Sequence, residues 1–193
     1  MPQDVGASWM LRYQQGDESA FDRLVEHYSG KLFAVLTRFL GPVPQREDLV
    51  QEVFLRVIRA RERYEPTARF STWIYRIAFN LCANERHRNL ARAARPLDPG
   101  GDDSPGIVFE DERVDPPFRS LEREDTSALV QRAIAELPDR QRMALILAKY
   151  EDHSYAEIAR ALETSEKAIK SMIHRARENL RVALAPLFEE QNL

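Results

Sequence analysis

The chain is poor in the residues that make crosslinks, hairpins and membrane spans. It has one cysteine, Cys82, in 193 residues. A lone thiol cannot close an internal disulfide. That excludes a disulfide scaffold and a cysteine-based zinc finger, and it fits a reducing compartment. Seven glycines and eleven prolines are too few for a collagen-like or low-complexity chain. No apolar run reaches the roughly 18 residues that a membrane-spanning helix needs. The opening MPQDVGASWM lacks the basic and apolar regions of a secretion signal, so a cytoplasmic protein is expected. His27, His87, His153 and His174 are scattered, with no HExxH pattern and no cysteine partner, so no metal site is expected. Glycine-rich phosphate loops are missing too. The carboxylates form no evident catalytic pair. The expectation is a protein without enzymatic chemistry, cofactor or small-molecule substrate.

What is present points to helices. Hydrophobic residues make up 44% and charged residues 31%, enough apolar material for packed cores. Neither sustained two-residue alternation nor an Asn-Gly or Asp-Gly turn occurs, so strands are not expected. Phe21, Leu24, Val25, Tyr28, Leu32, Val35, Leu36 and Phe39 recur at steps of three and four, the spacing of an amphipathic helix. Gly41-Pro42 should stop it. Leu49, Val50, Val53, Phe54, Val57 and Ile58 form a double column on a second helix, broken at Glu65-Pro66-Thr67. Trp73, Ile74, Ile77, Ala78 and Leu81 line a third, starting near Ser71 or Thr72.

Charge divides the chain. Residues 1–94 carry a net +3, residues 95–127 a net −6, and residues 128–193 a net of zero. The middle segment holds five of the eleven prolines and three of the seven glycines. Such a segment cannot bury a core and repels itself, so it reads as a flexible acidic linker. A random chain of its length would average roughly 30 Å end to end. A short helix can begin near Ser120. Two basic stretches flank the linker. Residues 69–92 hold five arginines against Glu85, and residues 167–181 hold five Lys and Arg against Glu178. Clustered positive charge on an acidic protein suggests local faces for a polyanion.

The second block has its own pattern. Leu129, Val130, Ala133, Ile134 and Leu137 precede Pro138, and Met143, Leu145, Ile146 and Leu147 follow it. Ser154 with Glu157 three residues later is a capping box. Thr164 or Ser165 can cap the next helix. That helix buries Ala168, Ile169, Met172, Ile173, Ala176 and Leu180, leaving Lys170, Ser171, His174, Arg175 and Arg177 on or beyond the border. Two helices, a short turn and a basic exposed face make a helix-turn-helix, whose second helix reads the major groove. Lys170 or Arg175 could pair with guanine or with a phosphate. The motif alone also suits an operator-binding regulator whose first domain dimerises.

Residues 48–64 (DLVQEVFLRVIRARERY) with 69–88 (RFSTWIYRIAFNLCANERHR) resemble the central domain of bacterial sigma factors. Residues 137–181 resemble their C-terminal promoter-reading domain. The pair, with only a linker between, resembles the extracytoplasmic-function group. The resemblance implies an all-α chain of two small helical domains. Residues 1–94 would bind core polymerase and recognise and melt the −10 element. Residues 95–127 would connect, threading through polymerase, where the negative charge could mimic RNA. Residues 128–193 would read the −35 element. It assigns Asp48, Leu49, Gln51 and Glu52 to core RNA polymerase. It gives the −10 DNA to Tyr64, Phe70, Arg76, Asn80, Asn84 and Arg86. Tyr155, Lys170, Ser171, His174 and Arg175 fall to the −35 DNA. Asn80 and Asn84 stand one helical turn apart, and amides can read a base edge. The resemblance also implies an anti-sigma factor as partner. The chain departs from the family pattern at Tyr64-Glu65-Pro66, Lys167 and Met172, which implies an unusual promoter.

Overall fold

The computed structural model describes residues 4–41, 43–93 and 120–185. Among these residues the regular elements are all helical. The first domain contains α1 (Val5–Gln14), α2 (Glu18–Leu40), α3 (Arg46–Arg59), a 3-10 turn (Arg61–Arg63) and α4 (Phe70–Ala93). The second contains α5 (Ser120–Glu136), α6 (Asp139–Tyr150), α7 (Tyr155–Ala161) and α8 (Glu166–Ala183). Residues 95–119 of the acidic connector lie outside the described residues. Helix α5 starts at Ser120, where a helix was expected to begin.

Helix α2 is the central beam of the first domain. Ala20, Leu24, Tyr28, Leu32, Val35, Leu36 and Phe39 are buried along it, at the spacing read from the sequence. It ends at Gly41, whose φ of 80° lies in the left-handed region that glycine enters without a Cβ clash. Helix α3 packs Leu49, Val50, Val53, Phe54 and Val57 against it. Ile58, expected in that column, is 39% exposed, because it lies past the edge of the buried stripe.

Helix α1 was not anticipated. Met10 and Tyr13 bury its inner face on α2. Asp4 both caps it and reaches across the domain. One carboxylate oxygen accepts the Ala7 N–H at 3.2 Å, and the other accepts the Phe70 N–H at 2.6 Å. A single side chain thus satisfies a free donor at the start of α1 and another at the start of α4. Gly6 makes room for this crossing. A Cβ there would stand 2.6 Å from the Tyr28 hydroxyl and 2.9 Å from Phe70.

In the second domain the expected caps are present. Ser154 and Glu157 form the reciprocal box at α7, and the Ser165 side chain accepts the Ala168 N–H at 3.2 Å. Ile169, Ile173 and Ala176 seat α8 in the core. Leu129, expected inside, is 41% exposed.

The two domains are packed against each other: their buried apolar residues form one continuous cluster, and polar contacts also cross the seam. Arg142 of α6 is 2% exposed and donates to the Phe39 carbonyl of α2 at 2.8 Å. Tyr75 donates to Glu151 at 2.5 Å, and His153 lies 3.2 Å from the Ser71 hydroxyl. Arg38 stacks over the Tyr150 ring at 4.1 Å.

Candidate nucleic-acid and protein interfaces

Helix α3 sorts its residues by steps of three and four. Asp48, Gln51, Leu55 and Ile58 all face solvent, and Leu55 is 45% exposed. Glu52 is half-buried and held by Arg56 at 3.0 Å and Arg59 at 3.4 Å. These partners, led by Arg56, hold its carboxyl below the usual carboxylate range despite some desolvation. Leu49 is buried and supports this face from beneath. The exposed apolar pair Leu55 and Ile58 was missed from the sequence. Its signal was present: both fall on the turns that follow Asp48 and Gln51. Charged residues around an apolar pair suit a protein partner better than a nucleic acid.

The region after the 3-10 turn forms a groove of about 230 Å³ lined by Glu65, Thr67, Ala68, Thr72, Trp73 and Arg76. Tyr64 and Phe70 do not face it openly. Both are buried and pack behind Trp73, Tyr64 edge-on with centroids at 4.9 Å and Phe70 tilted at 5.5 Å. Burial pushes the Tyr64 phenol up to about 12, with Asp4 adding to the shift. Their rings therefore shape the groove wall from within, and Trp73 forms the half-exposed part of it. Thr72 is buried with no partner for its hydroxyl, a free polar atom at the groove. Further along α4, Asn80 and Asn84 are exposed. Arg76 and Arg86 are already engaged. Arg76 meets Glu163 at 3.4 Å, and Arg86 pairs with Asp139.

Helix α8 presents Lys170, Ser171, His174 and Arg175 to solvent, opposite its buried stripe. Tyr155 is half-buried at the start of α7. The geometry is that of a helix-turn-helix with its reading helix uncovered. Glu157 serves α7 as a cap and lies 3.0 Å from Arg69 of the first domain.

Comparison with known proteins agrees with this arrangement. Residues 24–92 match the family described as Sigma-70 region 2, and residues 127–180 match Sigma-70, region 4. The chain is 34% identical to the RNA polymerase sigma-H factor of Pseudomonas aeruginosa, over 98% of this chain and 99% of the relative. The chain belongs to the sigma-70 family, in its extracytoplasmic-function group. The ECF RNA polymerase sigma-E factor of Escherichia coli K12 is 33% identical over 91% of this chain and 92% of its own. Among solved structures, CnrH in complex with the cytosolic domain of CnrY shares the fold, with a TM-score of 0.68. It is 23% identical and covers 94% of this chain and 98% of that one. The sigma factor RpoE of Bartonella quintana, bound to the anti-sigma factor NepR, gives a TM-score of 0.62. It is 21% identical, with 86% and 96% covered. A sigma factor directs RNA polymerase to promoters, and this chain carries both the region 2 and the region 4 domain of the family. The reading as a dimeric operator-binding regulator is set aside, because region 2 occupies the place of a dimerisation domain.

Proposed function

We propose that this sigma factor divides its work among three surfaces. The α3 face of Asp48, Gln51, Glu52, Leu55 and Ile58 docks on core RNA polymerase, with Leu49 holding its shape. The groove before α4, with Arg76, Asn80, Asn84 and Arg86, captures melted −10 bases. Tyr64 and Phe70 support its wall. Helix α8 reads the −35 duplex through Lys170, Ser171, His174 and Arg175, with Tyr155 beside them. Residues 1–94 and 128–193 are the two working domains, and 95–127 connects them. The observation that carries this reading is the exposure of the basic row on α8 opposite Ile169, Ile173 and Ala176. Each bidentate base contact is worth about 1–3 kcal/mol of discrimination.

The chain acts by binding, and bond formation in RNA belongs to polymerase. Among the described residues no helix is long and apolar enough to cross a membrane. We place the protein in the cytoplasm beside polymerase. Relatives of this fold are held by anti-sigma factors, and we extend that kind of partner to this chain.

Size-exclusion chromatography with purified core polymerase tests the proposal. The full chain should co-elute with polymerase, and Asp48→Arg/Gln51→Ala should not. Failure of the unaltered chain to co-elute would overturn the sigma reading of these surfaces.

A further inference from the structure

Helix α1 lies outside the residues that match region 2, yet both of its ends reach the same short loop. That loop runs from Tyr64 to Arg69, between the 3-10 turn and α4. Its Glu65, Thr67 and Ala68 line the groove together with Thr72, Trp73 and Arg76 of α4. At the loop's entry, the Gln14 amide nitrogen donates to two carbonyls, that of Arg61 at 2.7 Å and that of Tyr64 at 2.9 Å. At its exit, Asp4 accepts the Phe70 N–H. The 10 residues of α1 stand between these two contacts, roughly 15 Å of helix. One rod thus pins the loop at both ends.

The loop has little with which to hold itself. Pro66 has no N–H to donate. Glu65, Pro66 and Thr67 are exposed, and the Thr67 N–H reaches back to the Glu65 carbonyl at 2.8 Å. Its ends are different. Tyr64 and Phe70 are buried. Arg61 stacks over the Tyr13 ring of α1 at 4.1 Å and meets Glu18 at 3.1 Å. Support for the exposed stretch therefore comes from α1, 47 to 66 residues away in sequence.

We infer that α1 is a brace for the base-capturing loop, and that Gln14 is a positioning residue for −10 base preference. The inference rests on the assignment of the groove to −10 DNA. It goes beyond that assignment, because Gln14 acts through the loop backbone and not on DNA. With the amide in place the loop is preformed, and a captured base meets a groove of fixed shape. Without it the cost of ordering the loop falls on base capture. That cost bears on the base that fits the fixed shape. Phosphate contacts through Arg76 do not depend on it.

The test uses holoenzyme assembled from core polymerase and either the full chain or Gln14→Met. Methionine keeps the length and helix preference of glutamine and removes both donors. A pool of random single-stranded DNA 12-mers is selected on the unaltered holoenzyme, with core polymerase alone as the counter-selection. Fluorescence anisotropy then gives the affinity of the most enriched 12-mer and of its single-base variants. The Gln14→Met holoenzyme should bind the enriched 12-mer about fivefold more weakly, the effect of one net hydrogen bond. It should bind the poorest 12-mers as before, so that base preference contracts by the same factor. Equal affinities in the two holoenzymes overturn the inference. An equal loss for every 12-mer also overturns it, because α1 then supports the domain as a whole rather than the loop. An unaltered holoenzyme without base preference overturns the −10 assignment itself, and the inference with it. If Gln14→Met fails to co-elute with polymerase, Gln14→Asn carries the same test, because its amide is one methylene short of the two carbonyls.

Discussion

Replacing Asp4 by alanine should destabilise the first domain out of proportion to its position near the chain end. The carboxylate satisfies the Ala7 N–H of α1 and the Phe70 N–H of α4. Loss of an N-terminal helix cap costs about 1 kcal/mol. The Phe70 bond is shielded, and Phe70 itself is fully buried. An unsatisfied donor there adds about 1–2 kcal/mol. The expected loss is therefore about 2–3 kcal/mol. For a chain of this size that corresponds to a melting point lower by about 5–10 °C. Asp4→Asn keeps one acceptor oxygen and should lose about half as much. Urea unfolding followed by circular dichroism gives the free energies, and a thermal scan gives the shift. If Asp4→Ala unfolds within about 0.5 kcal/mol of the unaltered protein, the double cap contributes nothing and the account of α4 positioning fails.

Two further outcomes follow from titrating groups. Burial, aided by Glu85, pushes the Cys82 thiol up to about 12. At pH 8 it should stay unreactive toward a disulfide reagent in the folded protein and react fully in urea. Glu157 is partly buried, which alone would raise its carboxyl. The Ser154 hydroxyl and N–H, with Arg69, outweigh this and hold it below its usual value. Its stabilisation is present above the ordinary carboxylate range and is lost as pH falls through the lowered folded value. The melting point should drop on acidification below about pH 4, and Glu157→Gln should flatten that drop.

Much of the fold was legible because its signals are local. The spacing of Leu24, Tyr28, Leu32 and Leu36 marks α2, and Ser154 with Glu157 marks the start of α7 within four residues. What the sequence hid depends on distant partners. Helix α1 is fixed by burial of Met10 on α2 and by a carboxylate whose second partner lies 66 residues away. The burial of Tyr64 and Phe70 follows from their stacking behind Trp73. The seam joins Arg142 to Phe39 across 103 residues, and no periodicity in either helix records that meeting. Exposure of Ile58 and Leu129 likewise depends on where each neighbouring helix stops covering its host.

The docking face proposed for α3 bears on how the factor is shared in the cell. Helix α3 packs on α2, α4 and the 3-10 turn, and Asp48, Gln51, Leu55 and Ile58 remain in solvent while the domains are together. On the proposed docking, a molecule whose domains are packed together would still compete for a limited supply of polymerase. Surplus copies would queue for the enzyme rather than settle on promoters. Transcriptional output would then follow the factor's share of polymerase, set by the affinities and amounts of its rivals, and not its concentration on DNA.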